Sequence, residues 1–578
     1  MVKLKNKAMG FKVCFFVILS CLLLAPETTM AQELKRVSIV IEGARRVSET
    51  DENFVCATLD WWPHDKCNYE QCPWGYSSVI NMDLTRPLLS KAIQAFKPLR
   101  IRIGGSLQDQ VTYDVGNLKT PCRPFRKMNS GLFGFSKGCL HMKRWDELHS
   151  FLTSTGAVVT FGLNALSGRH KLRGKAWGGA WDHVNTQDFI NYTVSKGYAI
   201  DSWEFGNNQT FESVAFFFSV FFFPKLSFVL GLGNELSGSG VGASVSAELY
   251  GKDLIVLRDV INKVYKDSRL VKPKLVAPGG FYERPWYSKL LQISGPGVVD
   301  VVTHHMYNLG SGNDPALVKK ILDPSFLSKV SETFKDVNQT IQEHGPWASP
   351  WVGESGGAYN SGGRHVSDTF IDSFWYLDQL GMSSRHNTKV YCRQTLVGGF
   401  YGLLEKNTFV PNPDYYSALL WHRLMGKGVL AVHTDGPPQL RVYAHCSKGR
   451  AGVTLLLINL SNQSDFTVSV SNGKKLVMNV ESKKKKKSLL DTLKKTFSWI
   501  GSKASDGYLN REEYHLTPEN RDLRSKTMIL NGKPLKPTAT GDIPSLEPVI
   551  RGVNSPVNVL PLSMAFIVLP NFEASACS

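Results

Sequence analysis

Eight short apolar, β-branched runs, separated by stretches of helical periodicity, limit what this chain can become. They are Phe54–Trp62, Pro98–Ser106, Ala157–Ala165, Ala199–Asn207, Lys274–Gly280, Val298–Asn308, Trp351–Ser355 and Lys389–Thr395. Runs that stay hydrophobic without alternating belong to strands buried on both faces. Between them Leu254, Leu257, Ile261 and Val264 recur at helical spacing, as do Phe370, Phe374 and Leu377. This alternation predicts an α/β fold, a (β/α)8 TIM barrel, with its active site at the C-terminal strand ends.

Beyond about Lys427 the pattern changes. Short strand-like runs separated by turn residues occupy Gln439–Cys446, Gly452–Leu460, Phe466–Val470, Lys475–Val480, Lys526–Asn531 and Leu562–Pro570. They predict a C-terminal antiparallel β-sandwich, to which the early run Val37–Glu42 adds a strand. The expected division is a signal peptide over 1–31, an N-terminal strand over 32–46, the barrel over 47–426 and the sandwich over 427–578. Lys483–Asn510 and Pro534–Pro548 read as long surface loops.

The N-terminus has the order of a secretory signal. Lys3, Lys5 and Lys7 precede an apolar run from Val13 to Ala25, and Thr29-Met30-Ala31 supplies small residues near a cleavage point. Removing it leaves eight of the ten Cys, and such usage suits an oxidising compartment. Cys56, Cys67 and Cys72 cluster, Cys122 and Cys139 could close a second loop, and Cys392, Cys446 and Cys577 follow; the connectivity stays open. A zinc site is the lesser reading of the first cluster. Sequons at Asn191, Asn338, Asn459 and Asn462 are expected glycosylation sites. The net charge of +18 in a secreted chain points to acidic polysaccharides rather than nucleic acid. It is compatible with peripheral attachment to a membrane or cell surface. The Lys483–Lys487 run reads most plainly as a solvated loop.

The chemistry centres on Pro350-Trp351-Val352-Gly353-Glu354-Ser355-Gly356-Gly357, where an apolar run ends in a carboxylate and a glycine-rich turn follows. Glycoside hydrolysis needs two carboxyl groups, one to protonate the leaving oxygen and one to attack or to activate water. The second should follow the fourth run, yet Trp203-Glu204-Phe205-Gly206-Asn207 leads into a phenylalanine-rich stretch, Phe216 to Phe223. The next acid in matching context is Glu235, within Gly233-Asn234-Glu235-Leu236. Because the Gly-Asn pair occurs twice, at 206–207 and 233–234, residues 208–234 read as an insertion. Two segments, Ile200–Asn207 and Leu226–Asn234, then compete for the fourth strand. A membrane span over 213–233 is broken by Pro224 and Lys225.

With that segment set aside, the chain resembles the heparanase-like members of glycoside hydrolase family 79. The resemblance rests on Leu99-Arg100-Ile101-Arg102-Ile103-Gly104-Gly105-Ser106, Trp203 to Asn207 with Glu235, Thr303-His304-His305-Met306-Tyr307, Val352 to Ser355 and Pro413-Asp414-Tyr415-Tyr416. It implies a barrel joined to a β-sandwich that borrows the N-terminal strand, and retaining β-glucuronidase activity on acidic glycans or proteoglycans. It further implies Glu354 as nucleophile, Glu235 as proton donor, and Asp60, Ser106, Asn234 and Tyr401 as sugar contacts. Asn360-Ser361 stands where mammalian heparanase has a Gly-Gly pair, and that protein's excised linker has no counterpart. No cofactor or metal is expected: His304 and His305, adjacent on a strand, point to opposite faces and cannot readily share an ion. Trp61-Trp62 could line the sugar site or the core equally well. The rival expectation is a catalytically silent glycan-binding protein of the same fold. A secreted monomer of the wall or matrix is expected, with a lysosome or vacuole as the alternative.

Overall fold

The computed structural model describes residues 33–207, 242–473 and 510–578. The signal sequence, residues 208–241 (with Asn234 and Glu235), the run Lys475–Val480 and the Lys483–Lys487 cluster lie outside them.

A long strand β1 (Glu33–Glu49) precedes eight parallel strands that close into a barrel in chain order. These are β2 (Val55–Leu59), β3 (Arg100–Ile103), β4 (Val158–Leu163), β5 (Ser202–Phe205), β6 (Lys274–Ala277), β7 (Val301–Met306), β8 (Ser349–Ser355) and β9 (Val390–Arg393). Seven of the eight runs contain one of them, and the run Trp351–Ser355 lies within β8. Of the two candidates for the fourth strand, the first holds the place: Trp203 and Phe205 are fully buried. Helices fill the intervals: α1 (Pro87–Gln94), α2 (Met142–Ser154), α3 (Val184–Ser195), α4 (Ala247–Tyr265), α5 (Arg284–Ser294), α6 (Ser331–His344), α7 (Asp372–Arg385) and α8 (Pro413–Leu424). Local chemistry sets their ends. Proline opens α1, α5 and α8, where its missing N–H costs nothing. The Ser246 hydroxyl accepts the Leu249 N–H to cap α4.

Apart from three small two-stranded sheets, the remaining strands form an eleven-stranded sheet with β1. It is built mainly from β10 (Met425–Thr434), β11 (Leu440–Ser447), β12 (Val453–Asn459), β13 (Ser464–Asn472), β14 (Asn510–Pro518), β15 (Met528–Leu530), β16 (Val557–Val559) and β17 (Ser563–Leu569). β12 is buried along its whole length because both faces are covered. Leu455 and Leu457 pack with Ile39, Phe466 and Ile567, while Leu456 and Ile458 join the barrel core. One detail differs from expectation. The sheet is not purely antiparallel: β1 pairs antiparallel with β10 but parallel with β13. β14 begins at Asn510, where the expected surface loop ends, and is a strand that the apolar runs did not name. Its charges mask a half-buried strand, since Arg511 and Glu513 are buried and pair with each other at 2.6 Å.

All eight Cys of the described chain are paired, as Cys56–Cys392, Cys67–Cys72, Cys122–Cys139 and Cys446–Cys577. The zinc reading therefore fails: the three sulfurs it needs are spent in disulfides, and Cys56 lies inside the barrel. Cys56–Cys392 joins the first and last barrel strands at register partners and so locks the seam. Of the sequons, Asn191 and Asn462 are exposed and Asn338 is half-buried. Asn459 is fully buried, and its amide donates to the carbonyls of Ser464, Val559 and Leu560. A side chain so committed has no room for a glycan, so the expectation at Asn459 is withdrawn.

Candidate active site

Glu354 reaches the barrel interior through a bulge. Trp351 points inward, where the Arg100 guanidinium lies 4.8 Å from its ring centre, and Val352 points outward to the helices. Strict alternation would send Glu354 outward as well. Between His304 and His305 of β7, however, the register against β8 slips: His304 pairs with Val352 and His305 with Glu354. The extra residue, Gly353, turns Glu354 inward and Ser355 outward, where the Tyr391 hydroxyl donates to it at 2.8 Å. A Cβ at Gly353 would sit 3.2 Å from Thr303, so the bulge leaves little room for a side chain.

The Glu354 carboxylate accepts from Arg102 Nη1 at 2.8 Å and from the Tyr307 hydroxyl at 2.7 Å. Arg102 also donates twice to Glu204, at 2.5 and 2.6 Å, and to Asn207 Oδ1 at 2.6 Å. One buried guanidinium thus bridges the carboxylates of β5 and β8. Burial alone would raise the Glu354 pKa, but His305, Arg102 and Tyr307 together outweigh it and hold the carboxylate below its usual range. Burial pushes the His305 ring down to about 3, although the facing Glu354 carboxylate opposes that shift. His304 turns the other way, with its ring 5.9 Å from Phe334 of α6.

Two further acids sit at the mouth. Asp60 follows β2, accepts from Trp61 N at 2.6 Å and Gln394 Nε2 at 3.0 Å, and is pushed up to about 7 by burial and by repulsion from Glu354. Asp109 is raised to about 7 by burial, although the Ala165 and Asn207 N–H groups each donate to it at 2.8 Å.

Of the residues expected at the site, Asp60, Ser106 and Tyr401 come together with Glu354. Gly105, at φ +113°, presses its backbone against the Asp60 carboxylate and sets Ser106 beside it; a Cβ there would lie 2.4 Å from that carboxylate. Tyr307 and Tyr401 close on Gly356, where a Cβ would meet their rings at 2.8 and 2.9 Å. Asn234 and Glu235 are outside the described residues. Asn360 and Ser361 keep the left-handed backbone of a glycine pair, at φ 59° and 75°. Trp61 is fully buried, and Trp62 packs on Trp74, Phe133 and Phe135, so both serve the core.

Sequence reasoning assigned no role to Arg102, Glu204, Asn207, Tyr307 or Gln394. A signal was present for the first two: charged side chains inside apolar strand runs must find each other, since an unpaired buried charge is very costly. Among the described residues no helix is long and apolar enough to cross a membrane.

Residues 36–220 and 227–381 match the model of the glycosyl hydrolase family 79 N-terminal domain. The chain is 85% identical to heparanase-like protein 1 of Arabidopsis thaliana, over 99% of this chain and 100% of that one. It is 37% identical to the baicalin-β-D-glucuronidase of Scutellaria baicalensis, over 97% of each. Among solved structures, a 4-O-α-L-rhamnosyl-β-D-glucuronidase from Fusarium oxysporum 12S superposes with TM-score 0.58 at 14% identity, covering 92% of this chain and 100% of that one. That likeness extends the agreement to the fold of barrel and β domain together. The carboxylate at the barrel mouth and the match along the chain lead to one assignment: this protein belongs to glycosyl hydrolase family 79.

Proposed function

We propose that the chain is a secreted, retaining β-glucuronidase of acidic glycans, with Glu354 as nucleophile and Glu235 as proton donor. The observation that carries it is the Glu354 carboxylate, aimed into the barrel by a bulge and kept ionised by Arg102 and Tyr307. An ionised carboxylate in a water-poor cavity is what attack on an anomeric carbon requires. In the first step Glu235 protonates the leaving oxygen while Glu354 forms a glycosyl ester. In the second step the Glu235 carboxylate takes a proton from water as the water oxygen bonds the anomeric carbon, which breaks the ester, frees the Glu354 carboxylate and releases the sugar with net retention. Asp60, Ser106 and Tyr401 are the sugar contacts, and the backbone of the Asn360–Ser361 turn receives the substrate carboxylate.

The placement of Glu235 rests on residues 208–234 being an insertion. The family match breaks between 220 and 227, inside that segment. Joining Asn207, already docked on Arg102 and Asp109, to Glu235 would set the acid one residue past a fixed anchor at the mouth. Asn207 then fills the role expected of Asn234. Secretion is supported by the N-terminal 31 residues and by four disulfides. A wall or matrix location fits best, with the vacuole as the alternative.

One observation favours a silent glycan-binding protein instead. Among the described residues the acid of β5 is Glu204, and Arg102 holds both its oxygens. A carboxylate fixed in that way cannot deliver a proton. Hydrolysis of 4-nitrophenyl β-D-glucuronide by the chain with and without residues 208–234 separates the two readings. Turnover that appears or rises sharply on deletion, and is abolished by Glu354→Gln, supports the enzyme; no turnover in either form supports the silent binder.

A further inference from the structure

The turn that follows Glu354 has a second side. Across it from Trp74 and Tyr401 lies a depression of about 250 Å³, near the lower end of ligand pockets and suited to one ring rather than a chain. Ser361 links the two sides. Its hydroxyl lies 2.9 Å from both Trp74 Nε1 and Asn68 Oδ1, and its carbonyl accepts the Phe400 N–H at 2.6 Å. Asn68 and Phe400 both line the depression.

Two arginines dominate its wall. Arg364 comes from the barrel, ten residues after Glu354; Arg524 comes from the β domain. Arg524 is held in place by the backbone around it: Leu523 O and Ser525 O accept the Ile371 and Phe370 N–H groups at 2.9 Å, and Lys526 pairs with Asp368 at 2.6 Å. Neither guanidinium has a hydrogen bond or ion pair among the described residues. The wall's one acid, Asp314, is already matched by Lys320 at 2.6 Å. A concave surface with two free arginines and no free acid suits an oxyanion, which the planar guanidinium binds in a two-point fork.

We propose that this depression is a distal anion subsite, which takes the carboxylate or sulfate of a sugar further along an acidic glycan than the linkage cut at Glu354. The assignment deepens, and rests on, the reading of this cleft as a glucuronidase site. It gives the β domain a part in substrate choice, because half of the anion's grip comes from that domain.

The test measures binding by titration calorimetry on the full chain at low salt. The probes are an unsulfated hexasaccharide with carboxylates only, its sulfated counterpart, and a neutral hexasaccharide. Arg364→Gln and Arg524→Gln should each weaken the charged probes about tenfold, as expected for lost hydrogen bonds between charged groups, and leave the neutral one unchanged. Arg551→Gln, which removes an exposed charge elsewhere on the β domain, should leave all three unchanged. A loss seen with both charged probes assigns the anion as carboxylate; a loss confined to the sulfated probe assigns it as sulfate. The proposal is overturned if the native chain binds neither charged probe, if the double variant stays within twofold of native, or if Arg551→Gln weakens binding equally. Hydrolysis of 4-nitrophenyl β-D-glucuronide is followed in parallel. Arginine-dependent binding with no turnover, either in the full chain or in the form lacking residues 208–234, would defeat the enzymatic reading and leave the subsite standing.

Discussion

Replacing Arg102 with Met removes a cation from between two buried carboxylates. Four hydrogen bonds go with it, three of them to Glu204 and Glu354 and one to Asn207. Breaking one side of a buried ion pair costs about 3–5 kcal/mol, because the partner charge stays desolvated. The cost should depend on pH, with a sign that follows from the geometry. In the native chain the Glu354 pKa is lowered, so its contribution is present above the usual glutamate range and fades in acid. Without Arg102, less opposes the burial of Glu354, and its folded-state pKa rises above its unfolded value. Its contribution is then lost as pH rises from the unfolded value through the folded one. We expect a loss of about 2 kcal/mol at pH 5, growing to about 5 kcal/mol at pH 8. Guanidinium denaturation at both pH values reads this directly. Adding Glu204→Gln should recover about 2 kcal/mol at pH 8, since one stranded charge is gone. A loss below about 1 kcal/mol at pH 8, or one that does not change with pH, would refute the bridging role.

Glu354→Gln should reduce turnover at least about 10³-fold while leaving the melting temperature close to native; wild-type turnover in the purified variant removes Glu354 from the nucleophile role. Asp60, raised to about 7, destabilises the fold increasingly as pH climbs from about 4 to 7, so Asp60→Asn should raise the melting temperature at pH 7.5 and not at pH 4. Equal shifts at both pH values would contradict that. Cys56 and Cys392 are 336 residues apart, and in the chain-entropy model a loop of that length is worth about 6 kcal/mol. The double Ser variant should lose most of this in a denaturation curve, and a loss under about 1 kcal/mol would mean the seam holds without the bond.

The barrel was legible because each buried strand must read as an apolar run, and all eight did. β14 was not, because Arg511 and Glu513 neutralise each other within the sheet and so imitate a surface segment. Glu354 was legible by position, but not the reason it faces inward. That depends on which residue of β8 is skipped in pairing with β7, a fact of register that a single strand does not carry. Gly353 just before the acid was the only local sign. Arg102 and Glu204 were visible as charges in apolar company, yet the two carboxylates that Arg102 bridges lie on strands 102 and 252 residues further along the chain. The repeated Gly-Asn pair showed that two fourth strands were on offer; only packing of Trp203 and Phe205 chose between them.

β1 also has a consequence in time. Its partners, β10 and β13, lie roughly 400 residues later, so during synthesis at about 5–20 residues per second the first strand waits from ~20 to 80 s for them. A strand with Val37, Ile39 and Ile41 on one face would be a hazard for that long if it were uniformly apolar. Lys35, Arg36, Arg45 and Arg46 flank the apolar face and keep the waiting segment charged. The barrel, whose neighbouring strands are mostly consecutive, can close first. The β domain is completed around the N-terminal strand only when the last quarter of the chain has emerged.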